Sequence, residues 1–315
     1  MSDSVMLRGM GAAGVFVLVL GCAQEPLPGP KARSESAMQL VQGATFRMGT
    51  DEHELESIRD VVGLRSIAPL MSEVPSREFT VADFYMDTFS VSNAGYFQFV
   101  TANPGWSRGQ LDKDSHNGRY LEHWQGGEPP QELLMHPVTF ITWHSAVAYC
   151  EWRGKRLPTE AEYEWAAQDG KTRAEFPWGD APPSDELVSW GKNGIDRTVP
   201  VGSYPPNARN LFDMSGNVWH FTADPWLGSY AEMSDSSVDI ERAMADPGIR
   251  RVVRGGSWGA NAANLRVRYR DSHRPFDARE MVGFRCAKST GINGAGSKQQ
   301  PIVQVETTHS KAEGR

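Results

Sequence analysis

Apolar residues recur at helical spacing in three stretches of the chain. Tyr96, Phe99 and Val100 make the first stripe, opened by Ser92 as a cap, with Val91 placed to staple onto Tyr96. A second helix is predicted over about 143–152, where Val147, Cys150 and Glu151 lie one turn apart and Gly154 ends the run. The third opens with Pro158-Thr159-Glu160-Ala161-Glu162. Thr159 and Glu162 have the spacing of a capping box, and both acids favour the positive helix end. Ala161, Trp165 and Ala166 are then expected to face inward.

Elsewhere the apolar runs are short and β-rich: Thr45–Met48, Arg77–Val81, Phe84–Met86, Val199–Val201, Val252–Arg254, Arg266–Arg270 and Phe284–Ala287. Arg266, Arg268 and Arg270 alternate, so a strand there places all three on one face. The 31 Gly and 20 Pro imply many turns and argue against a helical bundle. The 10 Trp need a substantial core to bury them. These features give one α+β domain over 39–289 with little regular structure and no internal repeat. Residues 290–315 lack periodicity and aromatics and read as a disordered tail.

The chain carries 32 Lys+Arg against 39 Asp+Glu, a formal charge of −7, which excludes a generic nucleic-acid binder because that needs a basic face. Arg8 precedes an apolar run from Met10 to Gly21. A membrane span needs about 20 apolar residues, so this shorter run reads as a secretory signal over 1–21. It ends in Val19-Leu20-Gly21-Cys22, which resembles a bacterial lipobox. That resemblance implies lipidation at Cys22 and, because Ala23 follows, sorting to the outer membrane. Residues 22–38 are Pro-rich and polar, a tether. In an exported chain the remaining Cys150 and Cys286 either pair or stay as buried thiols. A bridge would close a loop of about 135 residues, worth up to about 5 kcal/mol on the chain-entropy model.

Ordered blocks along 39–289 resemble one family. They include Arg47-Met48-Gly49-Thr50, His136-Pro137-Val138, Gly154-Lys155-Arg156-Leu157-Pro158-Thr159-Glu160-Ala161-Glu162, Phe176-Pro177-Trp178-Gly179, Arg254-Gly255-Gly256-Ser257-Trp258 and Gly283-Phe284-Arg285-Cys286-Ala287. Their order and wording resemble the formylglycine-generating enzyme (sulfatase-modifying factor) domain, related to pyoverdine maturation factors and to secretion or motility lipoproteins. The resemblance implies a C-type-lectin-like fold, loop-rich, and a Cys150–Cys286 disulfide. It also implies copper held by two cysteines just after Gly-Gly-Ser, for oxidation of a sulfatase cysteine. Those positions hold Ala260 and Leu265, or Asn264 with a one-residue shift, and no Cys lies between 151 and 285. No copper is expected, because apolar side chains cannot replace soft thiolates.

Further departures touch the same region. The family's Asn-Val-Trp-Glu-Trp reads Asn217-Val218-Trp219-His220-Phe221, so a calcium-site Glu has become an imidazole, a poor ligand for a hard cation. Leu187-Val188-Ser189-Trp190 replaces the Asn that introduces the other calcium site. Ser215, Gly216, Asn217 and Val218 remain as calcium candidates, and Phe221 stands where the copper enzymes have an active-site Trp. Ser257 matches the family serine beside the reactive centre, or serves as a turn serine. Iron is not excluded: His116, His123, His136, His144, His220 and His273 are available with Asp213, Asp224 and Asp271, though without metal-motif spacing. Ser257, His220 and His273 are the catalytic candidates.

Two surface readings stay open. Arg254, Arg266, Arg268, Arg270, Arg274 and Arg285 either grip an acidic ligand bidentately or pair internally with Asp224, Asp271 and Asp277. The segment 107–132, with Tyr120 and Trp124, is either a recognition loop or inert. The expected function is that of an envelope lipoprotein on the periplasmic side of the outer membrane, engaging a protein or peptide partner as an accessory module. The alternative is an oxidoreductase of the same superfamily acting on a periplasmic substrate, or on a sulfatase cysteine.

Overall fold

A computed structural model describes residues 37–168, 173–191, 194, 196–231 and 245–291. The expected signal, the tether up to residue 36 and the tail from residue 292 lie outside the described residues. Local chemistry sets the helices. Ser92 Oγ accepts from Gly95 N at 3.1 Å and opens α2 (Asn93–Ala102). α3 (Trp143–Trp152) starts from a reciprocal Thr142–Ser145 pair, and α4 (Glu160–Ala167) from the Thr159–Glu162 capping box. The sequence pattern did not point to α1 (Leu55–Val62). Its eight residues bury only Leu55 and Ile58 before Gly63 stops it with φ of 73°.

The strands are short. β1 (Met38–Val41) and β9 (Ala287–Ser289) flank β4 (Phe84–Asp87), both antiparallel to it. β2 (Ala44–Met48) pairs with β3 (Arg77–Val81). A four-stranded sheet runs in the order β7 (Arg270–His273), β6 (Arg251–Arg254), β5 (Trp219–Pro225), β8 (Val282–Gly283), parallel only between β5 and β8. The fold is thus the α+β, loop-rich architecture expected. Three details differ from expectation. No strand forms at Val199–Val201. Phe284–Cys286 runs between β8 and β9 rather than within a strand. Arg266–Tyr269 is a chain of turns, because Arg266 N is spent on Ala263 O, Val267 N on Glu175 O and Tyr269 N on Arg266 O.

The main core gathers Tyr96 and Phe99 of α2, Tyr149 and Cys150 of α3, and Phe284 and Cys286. Cys150 and Cys286 form a disulfide inside this cluster, with both residues fully buried. The bridge fixes α3 to the chain between β8 and β9.

A second core is ionic. On α4 Ala161 and Trp165 are only half-buried, whereas Glu160, Tyr163, Glu164 and Ala167 make the buried stripe. Helical spacing is kept, but two glutamates occupy the inward face. Their partners are the arginines. Arg254 donates to Glu160 at 3.0 Å and to Glu164, and Arg270 donates to both Glu160 oxygens at 2.8 Å. Arg266 pairs with Glu73 at 2.8 Å and with Glu175 at 2.6 Å, and Arg268 also reaches Glu175. The arginines are therefore internally paired, with glutamates rather than with the expected Asp224, Asp271 and Asp277. Arg285 instead donates to the carbonyls of Asp87 and Phe212, and Arg274 lies over the Phe276 ring. Removing one member of a buried ionic set leaves the others uncompensated. Glu160→Gln is expected to cost about 3–5 kcal/mol in urea unfolding; a loss under about 1 kcal/mol would mean the set tolerates a missing charge.

Candidate functional site

The turn after β6 holds Ser257, one of the three catalytic candidates. Gly255 and Gly256 take φ of 93° and 71°. A Cβ on Gly255 would sit 2.5 Å from Tyr163 Oη and 3.0 Å from Met214 O, so both conformation and space require glycine there. The turn is stitched to the 215–218 segment: Gly216 N donates to Gly255 O at 2.8 Å, and Trp258 N to Asn217 O at 2.9 Å. Ser257 is buried at the turn. Its carbonyl accepts from Ala260 N at 2.9 Å, and the Met281 side chain lies over Gly259 beside it.

Ala260 and Leu265 belong to an apolar cluster with Phe176, Val188 and Trp190. Neither side chain carries a ligand atom, and Asn264, the other position expected for a thiolate, has its amide oxygen accepting from Asn261 N at 3.3 Å. The residues present do not fit copper.

Calcium fares no better. Ser215 Oγ donates to Leu265 O at 2.7 Å, and Asn217 uses both ends of its amide on the backbone of Val199 at 3.1 Å. The nearby Asp213 carboxylate accepts from Gly202 N at 2.7 Å, and the Arg285 guanidinium donates to Asp213 O at 3.1 Å. What Gly216 and Val218 can add is backbone carbonyl alone. Without a carboxylate at position 220, the 215–218 segment does not fit a hard cation that seeks several charged oxygens.

His220 lies on β5 opposite Arg254 and is fully buried. Its Nε2 is 2.7 Å from Ser90 Oγ and its Nδ1 is 2.9 Å from Tyr163 Oη. Tyr163 gives its own proton to Met214 O at 3.0 Å. The tyrosine oxygen must therefore accept from Nδ1–H, which leaves Nε2 to accept from the serine hydroxyl. Burial, with Arg285 adding to it, pushes the imidazole well below its usual value and keeps it neutral. Ser90 and Tyr163 were not among the sequence-based candidates. The only signal for them was the imidazole at position 220.

His273 ends β7 opposite Arg251. Arg251 and Arg254 are three positions apart on one strand, so His220 and His273 lie on opposite faces of the sheet. The structure does not join Ser257, His220 and His273 into one catalytic set. His116 accepts from Gly118 N at 2.9 Å, His123 meets Asn93 at 3.1 Å, His136 meets Thr198 at 2.9 Å, and His144 packs edge-on to Trp143. Among the described residues no three His, Cys, Asp or Glu side chains converge as a metal set. In the 107–132 segment the aromatics are not displayed for recognition. Tyr120 and Trp124 are buried, bonded to Tyr96 Oη at 2.8 Å and Asn93 Oδ1 at 2.9 Å.

These environments set a pH dependence. Burial holds His273 and His123 down to about 4, so both are neutral in the fold where an unfolded imidazole is protonated. The unfolded chain then binds more protons, and stability falls as pH drops below about 6.5, by up to about 1.4 kcal/mol per pH unit for each histidine. Asp224 acts oppositely. Burial and Glu160 push it up to about 7, so its contribution is present at low pH and lost as pH rises towards that value. His273→Gln is expected to flatten the stability profile between pH 6.5 and 4.5, read from urea midpoints; an unchanged slope would show that this imidazole titrates normally. For the 215–218 segment, the melting temperature in a calcium chelator should match that in calcium, and a rise with calcium would show that backbone carbonyls suffice.

The family description "Sulfatase-modifying factor enzyme 1-like domain" matches residues 24–290. The formylglycine-generating enzyme of Mus musculus is 30% identical over 302 residues, spanning 82% of this chain and 77% of that protein. A second Mus musculus protein, inactive C-alpha-formylglycine-generating enzyme 2, is 31% identical over 316 residues, spanning 87% and 89%. Among solved structures, PvdO from Pseudomonas aeruginosa shares the fold with a TM-score of 0.56 and 23% identity, over 80% of this chain and 93% of that one. The chain belongs to the formylglycine-generating enzyme (sulfatase-modifying factor) family.

Proposed function

We propose that this protein is an accessory binding module of the family rather than a formylglycine-forming oxidase, held at the bacterial envelope by a lipid on Cys22 and acting through a protein or peptide partner there. One observation carries the reading: Ala260 and Leu265 pack as hydrocarbon where copper chemistry needs two thiolates. The likeness to a relative named inactive supports it. The alternative, another oxidation chemistry within the superfamily, draws less support, because His220 is sealed between Ser90 and Tyr163 and stands apart from His273.

The test pairs chemistry with location. Full-length protein, a peptide carrying Cys-x-Pro-x-Arg, copper and oxygen are incubated together, and the peptide mass is followed. No conversion and no bound copper are expected; a formylglycine product would end the non-catalytic reading. In cell fractions the wild type should partition with membranes and Cys22→Ser with soluble periplasm. A wild type already soluble would remove the lipid anchor without touching the argument from the missing thiolates.

A further inference from the structure

A cavity of about 530 Å³ opens between α1 and the 175–190 segment. That volume falls within the range of small-molecule sites. Ile58, Val61 and Val62 of α1 form one wall, and Phe176 and Trp190 the other. Neither Ser257, His220 nor His273 lines it. Val61 is 74% exposed, a large apolar side chain left bare on a helix whose other apolar positions are packed.

The polar lining decides what could occupy the space. It contains the Glu175 and Asp180 carboxylates and the Ser57 hydroxyl, with no Lys, Arg or His among the described residues that line it. Glu175 is neutralised by Arg266 and Arg268. Asp180 is exposed, accepts from Glu175 N at 3.0 Å, and has no ion-pair partner among the described residues. Asp185 accepts from Trp190 Nε1 at 3.4 Å, also without an ion-pair partner among the described residues. An anion entering would meet the Asp180 carboxylate. A positive group would gain from that charge, while hydrocarbon attached to it would cover Val61 and Val62.

The geometry points to a binding site for a small amphipathic organic cation, an ammonium group on an aromatic or aliphatic body, seated with its charge at Asp180 and its body between Val61 and Trp190. The site shares Phe176 and Trp190 with the apolar cluster that holds Ala260 and Leu265, but it uses none of Ser257, His220 and His273 and needs no partner protein.

Three probes of one shape separate charge from hydrophobicity: 2-phenylethylammonium, 2-phenylethanol and 3-phenylpropanoate. Each is titrated into the full chain and followed by the amide signals of α1 and the Trp190 indole signal. The ammonium is expected to bind with a Kd on the order of 1 mM, about tenfold more tightly than the carboxylate, with the alcohol between them. Asp180→Asn should erase the preference for the ammonium over the alcohol. Val61→Lys, at a side chain already in solvent, should abolish ammonium binding while leaving the melting temperature unchanged. Equal binding of ammonium and carboxylate overturns the proposal. So does the absence of any response up to about 20 mM, or ammonium binding that persists in Val61→Lys.

Discussion

Arg254, Arg266, Arg268 and Arg270 are withdrawn from water almost completely, at 0%, 0%, 2% and 2% exposure. Each such transfer costs several kcal/mol unless carboxylates and carbonyls replace the lost hydration in good geometry. The rest of the domain is arranged to supply them. Helix α4 turns two glutamates inward, Glu73 arrives from the segment before β3, and Glu175 arrives from the loop beyond α4. Secondary contacts complete the set: Tyr230 donates to Glu160 at 3.1 Å, Thr50 to Glu73 at 2.6 Å, and Gly49 N to Glu164 at 2.8 Å. Segments with little helix or strand of their own are held in place by where their charges must go.

This explains what could and could not be read from the sequence. The caps of α2 and α4 were legible because donor and acceptor are within three residues of each other. The inward face of α4 was not, since a hydrophobicity pattern assigns glutamate to solvent. The row Arg266, Arg268, Arg270 announced itself by alternation, but its carboxylate acceptors lie 91 to 193 residues away, which alternation cannot locate. Reading it as a strand failed for the same reason. Three guanidiniums that must reach three different elements are better served by a turning backbone than by one flat face.

At the family's reactive centre the legibility was of another kind. Loss of the cysteine pair is a matter of residue identity and needs no geometry. How the space is refilled does need it. Two features there have the same sense: Ala260 and Leu265 pack as hydrocarbon, and His220 is held neutral. Arg285 remains nearby, bonded to carbonyls rather than to a carboxylate.

The placement of β1 and β9 has a mechanical meaning. Both run antiparallel to β4, with Met38 opposite Asp87 at one end and Ser289 opposite Phe84 at the other. The chain thus enters this sheet at one end and leaves it at the opposite end, along two parallel strands with β4 between them. A force applied between the two exits pulls along the strands, so the rungs of the ladder share the load instead of parting one after another. Tension on a segment preceding Met38 would be met in shear, the stronger of the two directions in which a sheet can be loaded.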